Sequence, residues 1–174
     1  MPDRAPDFRS SDDASRTDTM TAPNILWKRI RAAEQQASES QPLVLVVENH
    51  ASDRLLMQYA LRHEVRTDSA TTVEDAVRMA ASTRYDAILV TDRLPDDTGM
   101  SVMKRLRFRP AYRHVPIVIV TAHALAGDRE RFLDAGFDAY VAKPFTQNQI
   151  ATLVQDLLAE DARRSATRLR RKAS

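Results

Sequence analysis

The sequence predicts an α/β fold, a parallel sheet of five strands with helices on both faces. Three observations carry that expectation. Short apolar runs, Leu43–Val47, Ala87–Val90, Ile117–Val120 and Ala139–Ala142, alternate with stretches of helical period. The runs are apolar throughout, as in strands covered on both faces, and do not alternate with polar residues. The connections are long enough to hold helices, and helix-length crossovers join parallel strands with a right-handed turn.

In chain order, residues 1–22 are rich in Asp, Arg, Ser, Thr and Pro, with Phe8 the only aromatic, so they read as a disordered N-terminal segment. Met20 opens a second plausible translation start. Residues 23–41 read as an amphipathic helix and a linker, with Leu26, Ile30, Ala33 and Ala37 on one stripe and Asn24 as a cap. An isolated helix this short must dock, either on the main domain or through Trp27 and Ile30 on a partner or a second copy. The main domain spans 42–160. After the first strand, Ser52–Leu61 is a helix expected to turn Leu55, Leu56, Tyr59 and Ala60 inward, and Glu64–Ser69 is a short strand. Thr72–Ser82 carries Val73, Ala76, Val77 and Ala80 at helical spacing. A third helix covers Gly99–Arg107, and Pro116 introduces the fourth strand. A helix from about Asp128 stops at Gly136, and the last helix starts near Thr146 with Ile150, Leu153, Val154, Leu157 and Leu158 inward.

Composition narrows the function classes. A chain of 174 residues holds one ordinary domain with extensions. No apolar stretch approaches the ~20 residues of a membrane span, and no apolar segment follows the first charges as in a secretory leader. Cysteine is absent, which excludes thiol catalysis, disulfides and Cys-ligated zinc and fits a reducing, cytoplasmic setting. The net charge of +2 hides an asymmetry. Residues 161–174 hold Arg163, Arg164, Arg168, Arg170, Arg171 and Lys172, an appended basic arm. The run Lys104, Arg105, Arg107, Arg109 and Arg113 is expected as a solvated face.

The stretches VLVVENHASDRLL, YDAILV, LPDDTG, PIVIVTAHA and LDAGFDAYVAKPF, in this order, resemble the receiver domain of two-component response regulators across the whole of 42–160. The resemblance implies a flavodoxin-like fold of strand order 2-1-3-4-5, with its site at the carboxyl ends of the strands. It further implies an acidic pair and a phosphoacceptor Asp that hold Mg²⁺, with a hydroxyl and a lysine to neutralise the phosphoryl oxygens. Carried over residue by residue, Thr121 takes the hydroxyl position, Lys143 the lysine, Tyr140 the switch aromatic that acts with Thr121, and Pro144 a cis-proline.

Two positions depart from the pattern. The acidic pair is Glu48 and Asn49, so its second member is a neutral amide. The acceptor position, counted five residues after Asp86, four before Pro95 and eight before Gly99, falls on Thr91. Asp92 lies one residue late, and on a strand that would point it away from the pocket. A threonine hydroxyl is a poor acceptor without a strong base. The expectation is a degenerate phosphorylation pocket of Glu48, Asn49, Thr91, Thr121 and Lys143, with Glu48 pairing the lysine and the rest forming a neutral cluster. It has no catalytic residue and no cofactor, and it acts by binding a histidine kinase, another regulator or a second copy. One alternative makes Asp92 the phosphoacceptor in a shifted register, with weak Mg²⁺ binding at Glu48. Another makes the basic arm a site for a cyclic dinucleotide or a nucleic acid. His50 and His123 flank the pocket at no metal-ligand spacing and read as loop residues, and Asp96 and Asp97 as turn and capping residues.

Overall fold

The computed structural model describes residues 26–32, 41–123 and 125–172. The chain falls into two units, Met1–Ala37 and Ser38–Ser174. In the first unit residues 26–32 are helical, and the other expectations for 1–25 and 33–40 lie outside the described residues.

The second unit follows the order β1 (Leu43–Val47), α1 (Ala51–Leu61), β2 (Arg66–Ala70), α2 (Val73–Ser82), β3 (Ala87–Thr91), α3 (Gly99–Arg107), a 3-10 turn (Pro110–Tyr112), β4 (Ile117–Thr121), α4 (Asp128–Ala135), β5 (Ala139–Ala142) and α5 (Gln147–Lys172). All pairings between these strands are parallel, in the order β2-β1-β3-β4-β5. This is the flavodoxin-like sheet expected from the sequence.

Alternation along the strands divides the core into two layers. Leu45, Val47, Ile88, Val90, Ile117 and Ile119 face α2, α3 and α4, against Ala76, Val102, Leu106 and Phe132. Val44, Val46, Leu89, Val118 and Val120 face α1 and α5, against Met57, Leu61, Ile150 and Val154. Each such aliphatic side chain, fully buried, contributes roughly 1.5–3 kcal/mol. The carboxyl ends of all five strands therefore open on one edge of a rigid slab.

Local chemistry sets the helix ends. Thr72 accepts from the Asp75 amide at 3.1 Å and starts α2. Thr146 and Gln149 form a reciprocal capping box at α5: the Thr146 amide donates to Gln149 Oε1 at 2.8 Å and the Gln149 amide to Thr146 Oγ1 at 3.3 Å. Gly136, at φ 114°, ends α4 as the sequence implied.

Four expectations change. In α1 the buried residues are Met57 and Leu61, while Leu55 and Tyr59 are 63% and 50% exposed. The adjacent leucines 55 and 56 leave the stripe ambiguous by one 100° step, and packing against α5 selects the other phase. Strand β2 starts at Arg66 because residues 62–64 close α1 with turns, the amides of Glu64 and Val65 both donating to Leu61 O. Arg107 does not lie on a solvated face. It donates to Tyr112 O at 2.9 Å, Val115 O at 2.8 Å and Asp138 Oδ2 at 2.5 Å, tying α3 to the amino end of β4. The basic arm, finally, is no separate segment, since α5 runs unbroken through it to Lys172.

Candidate functional site at the strand carboxyl ends

Each pocket residue stands at a strand's end. Glu48 follows β1 and its amide donates to Ala70 O at 3.0 Å, which holds the turn against β2. Thr91 ends β3, Thr121 ends β4 and Lys143 follows β5. Glu48, Thr91 and Thr121 are buried. With Asn49, His50, Asp53, Asp92, Arg93, Ala122 and His123 they line a cleft of about 270 Å³.

Lys143 organises the electrostatics. Its Nζ donates to Glu48 Oε2 at 2.6 Å and to Asp53 Oδ2 at 2.7 Å. Burial works against its charge, but the hydrogen bonds to Asp53 and Glu48 outweigh it and hold the ammonium above the ordinary lysine range. Glu48 also accepts from the His50 amide through Oε1 at 2.9 Å. Asn49, with its amide nitrogen turned inward, donates to that same oxygen at 3.3 Å and to Arg93 O at 3.1 Å. Arg54 completes the loop by donating to Glu48 O at 2.9 Å.

The expected partner of Lys143, Glu48, is in place, and Asp53 is an additional one that sequence reasoning missed. The expected neutral cluster is not one network, because Thr121 Oγ1 accepts from the His123 amide at 3.0 Å. Asp92 also differs from expectation. It lines the same cleft, with its Oδ2 3.3 Å from His123 Nδ1. Strand β3 ends at Thr91 and the backbone turns, Asp92 O accepting from the Gly99 amide at 2.9 Å, so strand alternation no longer aims that side chain.

The rim connects to Tyr140. Arg93 Nη2 lies 3.3 Å from His123 Nε2, and Tyr140 OH donates to His123 O at 2.9 Å while its ring stacks on Phe132 at 6.0 Å between centroids. Asp96 does cap a helix, but α2 and not the helix that follows it, accepting from the Val73 and Glu74 amides at 2.9 and 3.1 Å. Those amides hold its carboxyl below the usual range. Asp97 accepts from the Thr98 amide at 2.8 Å. The Lys143–Pro144 bond is cis, as the resemblance implied.

The residues present do not fit the Mg²⁺ that the resemblance brings with a phosphoacceptor. Mg²⁺ demands near-ideal octahedral oxygen geometry at ~2.0–2.1 Å. Glu48 and Asp53 both hold the Lys143 ammonium instead, Asn49 offers a neutral amide in place of a carboxylate, and Asp92 faces His123. Among the described residues no group of three or more His, Asp or Glu side chains is placed to hold a metal. None of the described helices is long and apolar enough to cross a membrane.

Tyr85, Tyr112 and Lys143, like Tyr140, share one pH signature. Burial and the hydrogen bond to Asp68 push the Tyr85 phenol up, and burial does the same for Tyr112. With Lys143, all three have folded-state values above their ordinary 10.0 or 10.5. Stability from such groups is complete below the ordinary value and is lost as pH rises through the folded one. The thermal midpoint is therefore expected to fall steadily above pH ~10. A Tyr85→Phe variant should show a shallower alkaline fall, and an unchanged slope would refute Tyr85's part in it.

Comparison with known proteins agrees with this geometry. The response regulator receiver domain family matches residues 44–155. The transcriptional regulatory protein PmrA of Pectobacterium parmentieri is 35% identical over 119 residues, covering 66% of this chain and 51% of PmrA, so the chain spans about half that relative's length. The polar-differentiation response regulator DivK of Brucella anthropi is 34% identical over 86 residues, covering 49% of this chain and 70% of DivK. Among solved structures, the receiver domain of the sensor histidine kinase PA1611 from Pseudomonas aeruginosa, which has magnesium in its active-site cleft, superposes with a TM-score of 0.63 at 36% identity, covering 69% of this chain and 99% of that one. With the strand order, the cis Lys143–Pro144 bond and the cleft at the carboxyl ends of β1, β3, β4 and β5, these matches show that the chain belongs to the response regulator receiver domain family.

Proposed function

We propose that this chain is a phosphorylation-independent receiver of a two-component system, acting by binding protein partners and not by accepting a phosphoryl group. One observation carries the reading: the lysine that would neutralise an incoming phosphoryl group is already held by Glu48 and Asp53, opposite a strand that ends in Thr91. An alcohol without a strong base is a weak nucleophile, and a doubly paired ammonium has little charge left to offer. A histidine kinase or another regulator is the partner class that the family supports, with a second copy of the chain as a further candidate. The surface offered is the open groove beside β5 and α5, of about 680 Å³, lined by Tyr140, Pro144, Asn148, Thr152 and Leu153 among others. Tyr140 links that groove to the cleft through His123, so a partner could bias both together.

Incubation with acetyl phosphate and Mg²⁺ should leave the intact mass unchanged. A gain of about 80 Da, one phosphoryl group, would overturn the proposal. Loss of that gain in Asp92→Ala would establish the second reading, in which Asp92 is the acceptor. That reading is favoured by the position of Asp92 on the cleft wall. Thr91→Asp is the companion variant. It should remain unmodified, because Asn49 and the Lys143 pairing still deny the site a cation.

A further inference from the structure

We propose that the C-terminal half of α5 is a docking surface for the phosphate backbone of duplex nucleic acid. The proposal is independent of whether the cleft can be phosphorylated. Helix α5 runs from Gln147 to Lys172 without a break. Its first half is anchored by Ile150 and Val154, both buried, with Leu153, Leu157 and Leu158 packed partly under them. From Ala162 onward the character changes. Residues 162–167 and 170 are exposed, and 159–172 continue the helix for about 21 Å at its normal rise.

The helical register makes the change consequential. Ile150, Val154, Leu157 and Asp161 recur at intervals of four, three and four, and the same line continues through positions 164, 168 and 172. By sequence, the line that carries apolar residues on the domain carries Arg, Arg and Lys at these three positions. Arg163, Arg170 and Arg171 complete six cations in ten residues, and no carboxylate follows Asp161. The ion pair of Arg164 with Glu160, 3.4 Å and exposed at both ends, offsets little of the charge of Arg164. Like charges at i, i+4 also repel along the helix, a cost that a polyanion would remove.

Chemistry selects the polyanion. Five of the six cations are Arg, whose planar fork binds phosphate oxygens in pairs. An interfacial membrane helix needs a broad apolar face, and Leu169 is the only large apolar residue after Leu158. Single-stranded nucleic acid is held by bases stacked on aromatic side chains, and α5 carries none. A duplex needs none of these. It offers dense phosphate charge along a groove wide enough for a helix, and such contacts fix position without reading sequence.

The test is a fluorescence-anisotropy salt titration of full-length protein against a labelled 20-base-pair duplex of arbitrary sequence. Binding is expected at low salt, with log K falling against log salt at a slope near −4 to −5, about 0.9 per phosphate contact. Substituting Gln at Arg163, Arg164, Arg168, Arg170 and Arg171 together, with helicity checked by circular dichroism, should abolish binding. Substituting Lys at the same five positions should keep the slope and weaken the affinity. Absence of binding at 50 mM salt, or equal binding by the Gln variant, would overturn the proposal. So would retention of anionic vesicles, of polyglutamate or of one equivalent of a cyclic dinucleotide while the duplex is ignored.

Discussion

Replacing Lys143 with methionine should lower the stability of the fold by about 3–5 kcal/mol, the usual cost of removing one partner of a buried ion pair. The reason is Glu48, whose side chain is 1% exposed and which would lose the ammonium paired with it, leaving the His50 and Asn49 amides as its remaining donors. Asp53 contributes less, because it is 36% exposed and water can take over from the lysine. The double variant Glu48→Gln, Lys143→Met should recover most of the loss, since it leaves no buried charge unpaired and only the part-exposed Asp53 without the lysine. Urea denaturation reads this as a lower midpoint at unchanged slope for the single variant. A single variant as stable as the parent would show that the triad is not a structural element at all.

Gly99→Ala is the second large effect. A Cβ there would overlap the carbonyl oxygen of Thr91 and lie 3.1 Å from Val90 Cγ2 and 3.2 Å from Ile119 Cδ1. The first obstacle is backbone at the end of a buried strand and cannot turn aside, so the loss should be about 2–3 kcal/mol. Gly136→Ala is the comparison. Its φ of 114° is strained for alanine, but the nearest atom, Met103 Sδ, is 3.4 Å away, so its cost should stay near 1–2 kcal/mol. Equal losses in the two variants would contradict the close approach at Gly99. The Gly99 variant should also disturb the cleft, because Thr91 belongs to it.

Much of this was legible in the residues. Strands β1, β3 and β4 are buried on both faces and so are apolar along their length, a pattern that needs no partner to recognise. Counting from Asp86, Pro95 and Gly99 reached Thr91, and β3 does end at that residue. Asp53 escaped for a different reason. Its role depends on the rotation of α1, and its partner lies 90 residues away in the chain. A signal did exist: Asp53, Met57 and Leu61 recur every four residues, so placing the stripe on Met57 brings Asp53 to the mouth of the cleft. The Asp96 cap of α2 was invisible in the same way, since spacing along the chain does not say which helix a loop carboxylate will reach.

The sheet's two borders would behave differently in concentrated solution. Strand β2, Arg66-Thr67-Asp68-Ser69-Ala70, carries both signs of charge, a composition that discourages an incoming strand. Strand β5 is Ala-Tyr-Val-Ala with every residue partly open, and only its shortness limits what can zip onto it. Crowding therefore exerts its pull at one border alone, and that border is the one on which Tyr140 stands.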